Sequence, residues 1–223
     1  MDTLSSREED SIQAFIRKAV TDADIGHAYD HIEAVVNLAK RIGKEEKANI
    51  RIVVPAAYFH DAVHRQKSSF EDHTKASAET AVIFLKKIGF SKQELEHIKE
   101  VILSSDYGAY EKGILPLSVE AKVVRDADWL EAIGHRGIAR EFAFSGYYKV
   151  KELGKVLWNP ENPTKLKRYG DKPDPTAIYH FFSKLLWIKD NMQTSFGKKL
   201  AEKRHKAMVD FLKAYKEEMD GLR

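Results

Sequence analysis

The sequence contains no cysteine and few features of exported or membrane proteins. Without cysteine, disulfide bonds and metal sites built from thiolates are excluded, in agreement with a reducing cytoplasm. No apolar run approaches the roughly 18 residues that a membrane-spanning helix needs. The first ten residues, MDTLSSREED, are polar and acidic and do not resemble a secretion signal. We therefore expect a cytoplasmic protein with no membrane partner.

The sequence also has no segment in which charge of one sign is concentrated. The 37 basic and 34 acidic residues are interleaved and leave a net charge of only +3. Proteins that bind nucleic acids gather positive charge in one patch, so no nucleic-acid polymer is expected as a partner. The hydrophobic fraction of 43% supports a sizeable core, and 223 residues fit one domain.

Apolar residues recur with the spacing of helices, and the alternation typical of β-strands is missing. Ile12, Phe15, Ile16 and Val20, for example, share one helix face, for which Ser6 and Glu9 predict a capping box. Further helices are predicted over about 32–43, 48–63, 73–88, 91–104, 116–128, 129–144, 176–190 and 194–218. The sequence thus predicts an all-α fold.

Residues 145–175 interrupt this pattern. Four of the six prolines fall there, at positions 160, 163, 173 and 175, together with three glycines at 146, 154 and 170. We expect a long irregular insertion before the C-terminal helices, which acts either as a lid over a ligand or as a plain connection. The predicted domain organisation is a single domain over 1–223 that carries this insertion.

The segment VPAAYFHDAVH places His60 and Asp61 at the end of a strongly apolar stretch. Burying an imidazole and a carboxylate costs several kcal/mol unless something satisfies them, and a metal ion satisfies both. His31, in GHAYDHIEAVVNLAK, shares a helix face with Val35 and supplies a second inward imidazole. Asp128, in VVRDADWLEAIG, supplies a second carboxylate.

The order of these residues, a histidine, then the His-Asp pair, then a distant aspartate, resembles the HD-domain superfamily of metal-dependent phosphohydrolases. The resemblance covers about residues 25–218. It includes the HD pair after AAYF, the upstream GHAYDH and the downstream DADWLEAIG. It implies a helical bundle in which His31, His60, Asp61 and Asp128 hold one divalent ion. It also favours Asp128 over the neighbouring Asp126 as the last ligand.

Two imidazoles and two carboxylates suit Mn, Fe, Co, Ni or Zn, whereas Mg prefers oxygen ligands alone. In an octahedral site they leave two positions for water or a substrate phosphate. Some members of the superfamily hold a second ion with additional histidines. His64, His73 and His97 are candidates for that role, although surface or supporting positions are favoured for them.

The resemblance further implies hydrolysis of a phosphate ester or anhydride, with a nucleotide as the expected substrate. Cleavage of a nucleoside triphosphate into a monophosphate and pyrophosphate is the leading case of such a reaction. Asp61 is the expected catalytic ligand, and His64 and Glu131 are candidates for proton transfer. The cations expected to bind the substrate phosphates are Arg65, Lys67, Arg136 and Arg140.

Two other classes of function stay open at this point. One is a non-catalytic HD module that binds a metal and a nucleotide as a regulator. The other is an oxidative enzyme with two irons, which needs the additional histidines as ligands. A homodimer also stays open, because Tyr147, Tyr148 and Trp158 offer aromatic surface near the insertion.

Overall fold

The computed structural model describes residues 3–21, 28–63, 70–149, 159–160, 162–167 and 174–222. Within these ranges the chain forms ten α-helices and no β-strand, which confirms the predicted all-α class. The helices are α1 Ser6–Ala19, α2 Tyr29–Glu45, α3 Ile50–Phe59, α4 Phe70–Lys87, α5 Lys92–Ser105, α6 Tyr107–Glu111, α7 Val119–Glu131, α8 Gly134–Tyr147, α9 Ala177–Ser183 and α10 Ser195–Met219. None of the helices in these ranges is both long enough and apolar enough to cross a bilayer.

The chain divides into two compact units, and the first comprises Met1–Trp129 and Gln193–Gly197. Its central helix is α3, which packs against α1, α2, α4 and α5. Every residue of α3 from Ile52 to Phe59 is buried, which explains its almost entirely apolar sequence. Asn49 caps the helix by accepting a hydrogen bond from the Arg51 amide at 2.9 Å, and Pro55 lies inside the helix without ending it. Because α3 ends at Phe59, the next two residues lie at its carboxyl end.

The first helix begins one residue earlier than the sequence pattern indicated. The capping box uses Ser5 and Glu8, so the prediction of Ser6 and Glu9 was wrong. Ser5 with Glu8 and Ser6 with Glu9 both have the spacing of a capping box, but Glu9 makes tertiary contacts instead. Its carboxylate accepts hydrogen bonds from Tyr58, at 3.1 Å, and from Lys40. Ser91 and Glu94 form a capping box of the same kind at the start of α5.

Asp126 fixes the position of α7 within this unit. It is fully buried, and its oxygens accept hydrogen bonds from the Gln193 amide at 2.9 Å and from the amide and hydroxyl of Thr194, both at 2.7 Å. A Cβ at Gly197 would lie 2.5 Å from the Asp126 carboxylate, so only glycine fits there. Asp126 thus anchors the helix that carries Asp128.

The second unit comprises Leu130–Met192 and Lys198–Arg223. Its core includes a cluster of Phe142, Phe181 and Phe211, whose ring centroids are 5.8–6.3 Å apart. The helix predicted over 176–190 ends at Ser183 and continues as two short 3-10 turns, Leu185–Trp187 and Lys189–Asn191. Much of the predicted insertion, with Trp158, lies outside the described residues. The single-domain organisation stays a prediction.

Candidate metal centre

The first unit brings two buried imidazoles face to face. His31 lies in the first turn of α2, and His60 follows the last residue of α3. Their Nε2 atoms are 3.3 Å apart, and the two side chains are 2% and 3% exposed. The Nδ1 atom of His60 lies 2.7 Å from the Ala57 carbonyl oxygen. Because a carbonyl oxygen can only accept a hydrogen bond, Nδ1 carries a proton and Nε2 is the atom directed into the site.

Two carboxylates complete this group. Asp61 Oδ2 lies 3.7 Å from each of the two histidine Nε2 atoms, and Asp128 Oδ1 has the same two distances. Asp61 follows His60 at the end of α3, while Asp128 projects from α7. The structure therefore brings together all four residues of the predicted ligand set, whereas Asp126 is engaged by Gln193 and Thr194.

The spacing and chemistry of these donors fit a divalent metal ion. Ligands about 2.1 Å from one ion are separated by roughly 3.0–3.4 Å in octahedral and tetrahedral arrangements. The distances of 3.3–3.7 Å found here approach those values. The ligand atoms of His31, His60 and Asp128 all lie within 4.8 Å of one another. Two nitrogen and two oxygen donors are a set that binds Mn, Fe, Co, Ni or Zn.

The electrostatics of the site also favour a cation. Burial alone would disfavour the charged form of His60, but the carboxylates of Asp61 and Asp128 outweigh it and raise the pKa of His60 to about 9. The site thus attracts positive charge even inside the protein. The side chains of Asp61 and Asp128 are 17% and 21% exposed, so solvent reaches the site from the carboxylate side.

A further buried pair lies beside Asp61. His73 Nε2 is 3.2 Å from Asp106 Oδ2 and 4.0 Å from Asp61 Oδ1, and the His73 side chain is 1% exposed. Asp106 was not expected at the site, because no spacing in its segment VILSSDYG marks it as a site residue. By contrast, His97 pairs with Glu120 at 3.5 Å, and Glu120 accepts a hydrogen bond from the Asn49 amide. His73 therefore adjoins the metal centre, whereas His97 supports the start of α3.

Six further residues were predicted to belong to the site. His64, Arg65 and Lys67 lie outside the described residues. The remaining three belong to the second unit, where the 1% exposed carboxylate of Glu131 accepts a hydrogen bond from Arg136 Nε at 2.7 Å and another from Arg140. Both oxygens of Glu131 thus bind guanidinium groups.

Comparison with known proteins agrees with this geometry. The sequence model of the HD domain matches residues 28–133, which include all four proposed ligands. The chain is 33% identical over 219 residues to the uncharacterized protein YpgQ of Bacillus subtilis, and the match covers 97% of this chain and 96% of YpgQ.

Solved structures share the same fold. A Lactobacillus plantarum protein superposes with a TM-score of 0.79 at 28% identity, covering 98% of this chain and all of that one. The complex of YpgQ with ADP gives a TM-score of 0.69 at 28% identity, with coverages of 96% and 100%. An HD-superfamily hydrolase from Bacillus thuringiensis gives 0.70 at 27% identity, with coverages of 96% and 97%. From the ligand geometry and these matches together, the chain belongs to the HD-domain superfamily.

Proposed function

We propose that this protein is a metal-dependent phosphohydrolase. The observation that carries the proposal is the convergence of His31 and His60, whose Nε2 atoms lie 3.3 Å apart and each lie 3.7 Å from an oxygen of Asp61 and an oxygen of Asp128. These four residues would hold a divalent ion, which would lower the pKa of bound water towards neutral pH and offset charge on a phosphoryl group. An HD-superfamily hydrolase among the similar structures supports the same reading.

The surrounding residues have separate tasks in this proposal. The Ala57 carbonyl holds the His60 ring so that Nε2 faces the ion. His73 Nε2 lies 4.0 Å from Asp61 Oδ1, and the same nitrogen lies 3.2 Å from Asp106 Oδ2. This pair therefore restrains the rotation of Asp61. The partly exposed carboxylate side of the site is where a phosphate would enter.

We further propose that the substrate is a nucleotide. Similarity to a protein that binds ADP supports this step, since that relative matches almost the whole chain. Hydrolysis of a triphosphate to a monophosphate and pyrophosphate stays the leading reaction. Arg136 and Arg140 stay proposed phosphate-binding residues, and Glu131 orients both guanidinium groups. His64, Arg65 and Lys67 keep their proposed roles from the sequence.

A substrate screen tests this function. Purified protein would be incubated with phosphate monoesters and with nucleoside mono-, di- and triphosphates, each with Mn, Co, Ni or Mg, and the products would be separated by chromatography. Asp61→Ala should abolish turnover because it removes one ligand, while its helical circular dichroism should stay unchanged. Asp210→Ala is a matched control, since Asp210 is an exposed carboxylate paired with Lys206.

The outcomes separate the competing functions. Cleavage of triphosphates to pyrophosphate supports the full proposal, whereas cleavage of monoesters alone supports only the phosphohydrolase. Binding of a metal and ADP without any turnover would favour the regulatory module. Two irons per chain would favour the oxidative enzyme. Unchanged turnover by Asp61→Ala at saturating metal would refute the proposed site.

A further inference from the structure

Arg125 is a buried cation for which the described part of the chain supplies no hydrogen-bond acceptor. It lies on α7 with an exposed fraction of 0%, and its Nε and both Nη atoms have no partner there. The guanidinium instead contacts two aromatic rings, with Cζ 4.2 Å from the centre of Trp129 and 4.9 Å from that of Tyr110. The rings offset part of the cost of burying the charge, but they leave its N–H groups without oxygen acceptors.

The surroundings of Arg125 are largely aromatic. Trp129 Nε1 is also buried and has no acceptor among the described residues. The Tyr107 ring packs on Trp129 at 4.9 Å and on Tyr110 at 5.5 Å. The adjacent carboxylate, Asp126, directs its oxygens to Gln193 and Thr194. This cluster therefore offers N–H groups and positive charge, and its chemistry calls for an anion.

We propose that Arg125 and Trp129 form a phosphate-binding subsite. The planar fork of a guanidinium matches two oxygens of a phosphate, and the indole N–H supplies a further donor to the same group. Tyr110 covers the guanidinium and is itself partly exposed, so the proposal requires this side chain to move when phosphate binds. The cover belongs to α6, a helix of only five residues.

The subsite adjoins the metal centre. Arg125 precedes Asp128 by three positions on α7, and side chains with this spacing are neighbours on a helix surface. From the other direction, Tyr107 directly follows Asp106, which lies 3.2 Å from His73. A phosphate bound by Arg125 would therefore lie close to a substrate phosphoryl group bound at the metal. This catalytic role rests on the proposed phosphohydrolase function, whereas phosphate binding by itself does not.

Thermal unfolding of the metal-free protein tests the binding step. With inorganic phosphate at about ten times its dissociation constant, the wild-type melting temperature should rise by about 3 °C over chloride at equal ionic strength. Arg125→Met keeps an unbranched side chain between the rings but removes the charge. It should melt at a higher temperature than wild type without phosphate, and phosphate should not raise it further.

Arg51→Met is the matched control. The Arg51 guanidinium is paired with Glu8 at 3.0 Å and with Glu94 at 2.5 Å, so its removal should lower the melting temperature and leave the phosphate response intact. If Arg125→Met is destabilised and still responds to phosphate, the subsite does not exist. An equal response of the wild type to chloride would mean an adventitious ion only and would also overturn the proposal.

Arg125→Lys provides a second variant in case the methionine variant does not fold. It keeps the charge but loses the fork, and its affinity for phosphate, measured by calorimetry, should fall at least about fivefold. An unchanged affinity would contradict the proposal.

Kinetics of the metal-loaded enzyme then show whether the subsite binds only free phosphate or also a phosphate group of the substrate. If the subsite holds the substrate, the ratio of kcat/KM for a nucleotide to that for a small monoester should fall about tenfold in Arg125→Met. An unchanged ratio, with phosphate binding lost, would limit the subsite to free phosphate and refute its role in the reaction. If the wild type hydrolyses nothing, the proposed function fails, but the phosphate titration still decides whether the subsite exists.

Discussion

Metal affinity should rise about fiftyfold when the pH is raised from 7 to 9. The carboxylates of Asp61 and Asp128 hold the pKa of His60 at about 9 in the metal-free protein, despite its burial. Nδ1 keeps its proton and donates a hydrogen bond to the Ala57 carbonyl oxygen, 2.7 Å away, so the proton that a metal must displace is on Nε2. Protons and metal ions therefore compete for the same nitrogen.

The magnitude follows from that pKa. At pH 7 only about 1% of the metal-free protein has a deprotonated His60, and removing the proton costs about 2.7 kcal/mol. The apparent affinity should increase about tenfold per pH unit and level off near pH 9. An imidazole with the ordinary pKa of about 6.5 would give no further gain above roughly pH 7.5. The same raised pKa stabilises the metal-free fold fully below pH 6.5, and this contribution is lost as the pH rises through 9.

Competition with a fluorescent chelator measures this dependence. Mn²⁺ would be titrated at half-unit steps between pH 6 and 9.5, with the chelator calibrated at each pH. Asp128→Asn is the informative comparison, because losing one carboxylate should both weaken binding and move the levelling point to lower pH. A wild-type affinity that is constant above pH 7.5 would refute the reasoning.

Three predictions concern the fold. Asp126→Ala should lower the free energy of unfolding by about 3–5 kcal/mol, because it leaves the amides of Gln193 and Thr194 without their acceptor. Urea denaturation measures this change. A loss below about 1 kcal/mol would contradict the anchoring role of Asp126. Gly197→Ala should lower the free energy of unfolding by about 1–3 kcal/mol, since the new Cβ would lie 2.5 Å from Asp126. A neutral effect in the same assay would show that the start of α10 can shift to make room for the methyl group. Ser5→Ala should cost about 1 kcal/mol through loss of the α1 cap, whereas an equal cost at Ser6 would restore the alternative cap.

The grouping of polar residues at the candidate site could be predicted because these residues are unusual in an otherwise apolar environment. His60 and Asp61 follow a stretch that is otherwise apolar, and His31 shares the inward face of Val35. Buried polar groups of this kind need partners, and family order supplied the distant Asp128. The structure places these four residues near one another, and their role as metal ligands stays a prediction.

Elements that depend on tertiary contacts were less accessible to prediction. The five-residue helix α6 was missed, because its start is fixed by the Asp106 side chain, which accepts a hydrogen bond from the Gly108 amide. The choice of Ser5 over Ser6 as the cap depends on the engagement of Glu9 by Lys40 and Tyr58. Local sequence patterns contain neither contact.

Arg125 shows a different limit. In a chain with 37 basic residues, one more arginine in a helix is normally a solvated charge. The helical phase of Ala121 and Trp129, four residues on either side, would have placed Arg125 on the buried face. Its lack of an acceptor in the described part of the chain emerges only from the packed structure.

The metal content of the purified protein tests the central claim most directly. Wild type, Asp210→Ala and His60→Ala would be equilibrated with Mn²⁺ or Co²⁺, desalted and measured by inductively coupled plasma mass spectrometry. We predict about one ion per chain in wild type and in Asp210→Ala, and a small fraction of one in His60→Ala with unchanged circular dichroism. A His60→Ala protein that retains a full ion would contradict the proposed metal centre.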